Sequence, residues 1–386
     1  MILKILGIIV GIIGLAIGLL ILQAFYLSCA LHWNNQATVR LAYFGKSARE
    51  RLRFKSWLKF HRTMLAPWVS LVSRTQKFDF STGTLLESEI GFPHGTCTTE
   101  SVNSALNYSP KKHDVFVVSQ MKSGTTWLQQ IAIQILNRGK PFVDTNRPLA
   151  SVSCWLESQK TVSIDDAPLI GEEVKCRVVK THLPVQLCPL GSKAKYIYIA
   201  RHPVSCFASC VDFLNGNLGT FGLDIASYRD WFVSKEMWFG TWANHVANWW
   251  LKSKNYDNVL FLKFEDLKND LSKVIDSIAT LLGVEDLSES EKAAIVEACS
   301  FKHMKQNANA FEMYPPHIFQ TQADFFVSGD NRRFCDVPDN IAQEIVNESV
   351  SGLKENNVDA FEIYPDLTEE VVGGAAAQTC VPVLSH

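Results

Sequence analysis

Three short stretches place charged and nucleophilic side chains where an anionic substrate could be gripped and worked on. Gln120-Met-Lys-Ser-Gly-Thr-Thr-Trp127 joins an apolar run, Val115–Ser119, to an amphipathic one. In such a loop small residues let successive backbone N–H groups and a helix N-terminus face a phosphate, while Lys122 adds a mobile cation and Thr125 and Thr126 add hydroxyl donors. It is not a Walker A loop, whose lysine follows its second glycine, because Lys122 precedes Gly124. Lys180-Thr-His-Leu-Pro184 closes the next apolar run with a histidine and a second lysine, the residue types of a general base and an anion stabiliser. Arg201-His-Pro closes the third, with Ser209 eight residues later and Phe213 one turn beyond; an arginine and a hydroxyl so spaced can hold a second phosphate.

These stretches need a scaffold that brings three strand ends together. β-branched runs at Val115–Ser119, Cys176–Lys180, Tyr196–Ala200 and Val259–Phe264 read as strands, and Thr125–Arg138, Val204–Leu214, Thr241–Ser253 and Leu271–Leu282 as helices between them. That alternation predicts an α/β domain around a mostly parallel sheet flanked by helices. In such sheets ligands bind beyond the carboxyl ends of the strands, which is where all three stretches fall. Trp238, Trp242, Trp249 and Trp250 recur at helical spacing and read as core.

The same residues resemble the sulfotransferases that use 3′-phosphoadenosine 5′-phosphosulfate (PAPS), especially the cytosolic type acting on small hydroxylated molecules. Lys122-Ser-Gly-Thr-Thr-Trp127 is similar to that family's 5′-phosphosulfate loop, Lys180-Thr-His-Leu-Pro184 to its catalytic strand end, and Arg201 through Ser209 to its 3′-phosphate segment. Gly240-Thr-Trp-Ala-Asn-His-Val-Ala-Asn-Trp-Trp250, Phe264-Glu-Asp-Leu-Lys268, Ser300-Phe301 and Met304-Lys305 continue the likeness in family order over about residues 110–335. The resemblance implies a P-loop-like three-layer fold and sulfuryl transfer from PAPS to a hydroxyl or amine acceptor, without a metal. It implies His182 as base, Lys122 on the leaving phosphate oxygen, and Lys180 holding the transferring group. The amides of Ser123, Gly124, Thr125 and Thr126 would bind the 5′-phosphate, Trp127 and Phe301 would stack on adenine, and Arg201 with Ser209 would bind the 3′-phosphate.

The chain departs from the family pattern at several points. Met121 replaces a proline and His202 an asparagine; Phe264 stands where tyrosine is usual and Cys299 where threonine is, each removing a hydroxyl from the nucleotide's surroundings. The basic segment that closes over the nucleotide is represented by Asp324-Phe-Phe-Val-Ser-Gly-Asp-Asn-Arg-Arg-Phe334, in which Arg332 and Arg333 are the cations left to serve. Two rival readings are a small-molecule kinase, which would need a Walker-type loop and Mg²⁺ ligands, and a nucleotide-binding membrane scaffold without turnover. Lys122 and His182 together favour an enzyme, since a non-catalytic binder has little use for a base.

The amino-terminal end does different work. Ile5 to Leu22 is an unbroken apolar run, continued to Leu31 with Gln23 and Ser28 as polar interruptions, long enough for the roughly 20 residues of a membrane helix and longer than the apolar core of a cleaved signal peptide. Gly7, Gly11, Gly14 and Gly18 permit close helix pairing and hence a homodimer. Lys4 precedes the span, whereas Arg40, Lys46, Arg49 and Arg51 follow it within about 20 residues, which by the positive-inside rule predicts a cytosolic domain. Apolar residues from Phe54 to Val72 recur at helical spacing among Arg49, Arg51, Arg53, Lys55, Lys59 and Arg62. Two readings stand: a helix on an anionic membrane surface, or one packed on the globular domain and kinked or interrupted at Pro67. Expected divisions are 1–31 anchor, 32–109 basic juxtamembrane and connecting region, 110–370 sulfotransferase domain and 371–386 tail.

Composition narrows the classes further. Lys and Arg number 37 against 39 Asp and Glu, so no overall positive field exists to bind nucleic acid. The balance is uneven: residues 1–75 hold ten basic residues and one acid, which places the excess positive charge beside the apolar span. Ten cysteines include no Cys-x-x-Cys and no zinc spacing with histidine, so metal binding is not expected; Cys176, Cys206 and Cys210 read as buried free thiols. Two glycosylation triplets, Asn107-Tyr-Ser and Asn347-Glu-Ser, bear on topology.

Overall fold

The computed structural model describes residues 2–37, 43–74, 78–80, 84–85, 90–93, 96–313, 315–316 and 337–367. Arg40, the segment with Arg332 and Arg333, and the tail from 368 lie outside the described residues. A small antiparallel pair, β1 (Thr84–Leu85) and β2 (Gly91–Phe92), precedes a five-stranded sheet of β3 (Asp114–Val118), β4 (Cys154–Trp155), β5 (Arg177–Thr181), β6 (Lys195–Ala200) and β7 (Val259–Lys263). The sheet order is β4-β5-β3-β6-β7, and its four ladders are all parallel. Each of the four strands expected from the sequence is present to within a residue at either end; β4, two residues long, gave too short a run to be read.

Register decides where the chemistry goes. Val118 pairs with Thr181 on one side and Tyr198 on the other, so the chain leaves β3, β5 and β6 at one edge. Chain order switches sides around β3 here, which opens a crevice beyond the strand ends. At the opposite edge the buried Asp114 accepts from Arg177 Nε at 2.9 Å, Tyr108 Oη at 2.6 Å and Lys111 N at 2.7 Å, tying the starts of β3 and β5 together.

All five β3 side chains are buried, as expected of a central strand covered on both faces. Phe116 and Val118 join Tyr196 and Tyr198 in a core shared with α5 (Pro203–Leu218), α7 (Trp242–Asn255) and α12 (Asp339–Glu355). Val115 and Val117 join Ile197 and Ile199 against α4 (Thr125–Leu136), α9 (Leu271–Leu282) and α10 (Glu289–Ala298). This period-2 division yields three layers. The shorter helices are α3 (Thr99–Leu106), α6 (Ile225–Val233), α8 (Phe264–Asn269), α11 (Phe301–Gln306) and α13 (Ala360–Ile363). Trp242 and Trp249 are buried, and Trp249 stacks on Tyr198 with ring centroids 5.6 Å apart.

Two long helices precede the domain, α1 (Ile2–Ala37) and α2 (Ala48–Val72). Within α1, Lys4–Tyr26 is long and apolar enough to cross a membrane, and its glycines face open space. Phe54, Leu58 and Leu65 place one stripe of α2 in the core beside α4 and α9. The helix runs through Pro67 to Val72, so proline costs it one backbone bond without interrupting it.

Candidate active site

The loop after β3 is shaped by two left-handed residues, Lys122 (φ 64) and Gly124 (φ 107). A Cβ at Gly124 would lie 2.8 Å from Cδ2 of Phe264, so backbone conformation and space both demand glycine. Gly124 is also the N-cap of α4 and supplies no side-chain hydrogen bond, which leaves the first-turn N–H groups directed at the loop. Thr125 Oγ1 is engaged with Ser119 Oγ at 2.6 Å, and Thr126 is half-buried. Gln120 Nε2 donates to the carbonyl oxygens of Gly240 at 2.6 Å and Trp238 at 3.2 Å, holding the loop against the segment that leads into α7.

Across the crevice, His182 follows directly on β5. Its Nδ1 lies 2.8 Å from the carbonyl oxygen of Ser119. A carbonyl only accepts, so Nδ1 carries the hydrogen and Nε2 keeps a lone pair. Burial and the neighbouring Lys180 push the imidazole pKa well below its ordinary value, so the ring is neutral at neutral pH and ready to take a proton. Trp155 and Phe239 flank it with ring centroids 5.4 and 5.1 Å away.

Two lysines bracket that imidazole. Lys122 Nζ lies 4.5 Å from the Phe213 ring centroid, and desolvation lowers its pKa to about 8, with Arg201 adding repulsion. Lys180, buried, sits 3.6 Å over the Trp155 ring; desolvation lowers its pKa too, against the opposing pull of Glu157 and with the repulsion of Lys122. Cations held at such a cost in solvation are favoured again when an anion arrives.

Glu157, not singled out by sequence reasoning, is the hub beneath this edge. Its buried carboxylate accepts from Trp155 Nε1 at 2.7 Å, His182 N at 2.7 Å and Thr181 Oγ1 at 2.8 Å. Burial raises its pKa while those donors lower it. An acid inside the mainly apolar stretch Val152-Ser-Cys-Trp-Leu-Glu157 was the available signal. His245 escaped notice for a different reason, since it sits among tryptophans that read as core.

Arg201, Trp127, Phe264 and Cys299 gather on the far side of the loop. Arg201 Nη1 donates to the Lys122 carbonyl oxygen at 3.2 Å, and its guanidinium carbon lies 4.4 Å from the Phe264 ring centroid. Trp127 meets Phe264 edge-on at 5.5 Å, and its Nε1 donates to the Cys299 carbonyl oxygen at 2.8 Å. Cys299 thus meets the site through its backbone, its thiol being buried. Phe301, half-buried, opens α11, and Ser209 sits half-buried on α5. Arg332 and Arg333 lie outside the described residues. An uncapped helix start, two desolvated lysines and an unprotonated imidazole nitrogen can together hold an anion while a neutral nucleophile loses its proton.

Comparisons with known proteins identify the family. The chain is 30% identical over 245 residues to human sulfotransferase 2B1, covering 62% of this chain and 65% of that protein, slightly under two thirds of its length. It is 33% identical over 223 residues to mouse sulfotransferase 2A2, 56% of this chain and 76% of that one, and 32% identical over 216 residues to the 3-alpha-hydroxysteroid sulfotransferase of Cavia porcellus, 55% and 73%. It shares a fold with mouse sulfotransferase SULT7A1, solved in complex with PAP, at TM-score 0.52 and 24% identity over 71% of this chain and 99% of that one. Residues 112–334 match the sulfotransferase domain, a stretch that holds the five-strand sheet, the phosphate-type loop, His182 and Arg201, and that exceeds half the chain; the protein therefore belongs to the sulfotransferase family.

Proposed function

We propose that the protein transfers the sulfuryl group of PAPS to a lipophilic hydroxyl acceptor. The observation that carries this is the hydrogen bond from His182 Nδ1 to Ser119, which leaves Nε2 as a base beside two desolvated lysines. His182 Nε2 takes the acceptor's hydroxyl proton as the acceptor oxygen bonds to sulfur. The bond between sulfur and the phosphate oxygen breaks, and its electron pair stays on that oxygen, where Lys122 and the first-turn N–H groups of α4 stabilise the charge. Lys180 faces the sulfuryl oxygens. Arg201 and Ser209 hold the 3′-phosphate, and Trp127, Phe264 and Phe301 with the Cys299 backbone form the adenine side. The cradle around Gly124 and the cationic crevice fit such a nucleotide. A lipophilic acceptor is supported by the Trp155 and Phe239 rings beside His182 and by relatives named for hydroxysteroids.

In the same proposal α1 anchors the protein through Lys4–Tyr26, with the domain on the cytosolic side. His182→Ala tests the catalytic assignment: turnover with a hydroxysteroid should fall about 10²-fold or more, while PAP affinity measured by calorimetry stays within about twofold. Undiminished turnover at saturation would remove His182 as the base.

A further inference from the structure

The fold uses only one side of α2. Phe54, Leu58 and Leu65 are buried against the domain, Arg51 Nη1 donates to the Lys46 carbonyl oxygen at 2.7 Å, and Lys55 reaches Asn309 at 2.6 Å and Glu312. The opposite stripe carries Leu52, Phe60 and Met64, exposed to 61%, 61% and 51%. Arg49, Arg53, Ser56, Lys59 and Thr63 lie among them, all exposed. No carboxylate shares this stripe: the helix's one acid, Glu50, accepts from Ser47 N and Oγ at the N-terminus.

The position of this stripe follows from α1. Tyr26 ends the apolar stretch Lys4–Tyr26 and stacks on His61 of α2 with ring centroids 5.1 Å apart. His61 in turn lies 3.8 Å from Trp57. On the anchor reading, the contact fixes α2 at the level where α1 would leave the hydrocarbon, the depth at which aromatic rings and long cationic side chains are most at home.

We propose that the outward face of α2 lies on the membrane that α1 enters, with Leu52, Phe60 and Met64 in the boundary between headgroups and acyl chains and Arg49, Arg53 and Lys59 on anionic lipid headgroups. The proposal rests on the anchor reading given above. A second copy of the chain is the poorer occupant, because this face carries three cations and no acid and repels itself. A bilayer bearing acidic lipids matches both the apolar residues and the charge.

The test uses the full chain reconstituted in vesicles of phosphatidylcholine, with or without phosphatidylserine, carrying benzoylphenylalanine at Phe60 or, as a control, at Phe361, another exposed phenylalanine (57%). Irradiation should give lipid adducts at position 60 about tenfold above those at 361. Arg49→Glu, Arg53→Glu and Lys59→Glu combined should lower the yield on phosphatidylserine vesicles at least about fivefold, with PAP affinity retained as proof of folding. Equal adducts at the two positions, crosslinks to a second copy of the chain, or no effect of charge reversal would each overturn the proposal. Failure of the chain to float with carbonate-washed vesicles would instead remove the anchor reading itself, and is scored separately.

Discussion

His245 Nε2 lies 2.9 Å from the carbonyl oxygen of His182, so one imidazole holds the backbone that carries the other. The carbonyl only accepts, so Nε2 bears the hydrogen and Nδ1 accepts from Tyr198 Oη at 2.9 Å. Burial pushes the His245 pKa down to about 4, which keeps the ring neutral and the bridge intact at working pH. With His182 as the proposed base, His245 acts as a positioning residue, linking strand β6 and helix α7 to the end of β5. His245→Phe should lower kcat about tenfold with KM for PAPS little changed, and His245→Gln, whose amide can still donate, should recover most of the loss. Equal defects in both variants would reduce His245 to a packing role.

The second expectation concerns Gly124. Alanine there must adopt φ near 107 and place Cβ 2.8 Å from the Phe264 ring. Crowding of this kind costs about 1–3 kcal/mol, and it falls on the loop and on the proposed adenine side together. Gly124→Ala should weaken PAP at least about tenfold. Adding Phe264→Leu should return part of that affinity, since it removes the clash and leaves the positive φ. Strictly additive effects of the two changes would mean that the contact does not limit binding.

Lys122 makes the site sensitive to alkali. Its pKa is lowered to about 8 by desolvation first and by Arg201 second, so in the free enzyme its charge is lost as pH rises through that value. Binding an anion restores the charge and takes up a proton. The Lys122 share of PAP affinity, read as the ratio of wild type to Lys122→Arg, should therefore be flat below about pH 8 and fall above it by up to about tenfold per unit. Lys122→Arg keeps its charge throughout this range, so its own profile should show only the loss that the desolvated Lys180 brings to both proteins. A wild-type profile parallel to that of the variant would show that Lys122 stays charged without ligand.

Much of this arrangement was legible before any coordinates. β-branched runs of five or six residues mark β3, β5, β6 and β7, and Lys122, His182 and Arg201 follow those runs within four residues. What escaped reading is what acts across sequence distance. Glu157 reaches His182 from two residues past a two-residue strand, 25 positions away. Helix α12, not among the helices expected from the sequence, packs Ile341, Ile345 and Leu353 in the core. The charge argument for topology also changes in detail, because Arg51, counted as a juxtamembrane cation, is buried and bound to the carbonyl oxygens of Lys46 and Thr145.

That loss leaves the expected orientation to fewer charges. Lys46 and Arg49 stay exposed after α1, and Arg53 and Lys59 extend the cationic surface along α2, while Lys4 stands on the other side of the span. For the proposed anchor, this bias predicts a cytosolic domain. Asn107 gives a clean reporter, since it is exposed at the end of α3 and Ser109 of its triplet is exposed as well. Asn347 is also exposed on α12, but Ser349 of that triplet is buried, so it is the poorer acceptor. Expressed in cells with a glycosylating secretory pathway, the full chain should run at one mobility with and without endoglycosidase, and protease added to sealed microsomes should digest the domain. A mobility shift abolished by Asn107→Gln, together with full protection from protease, would place the domain in the lumen and show that the cations after α1 do not set its orientation.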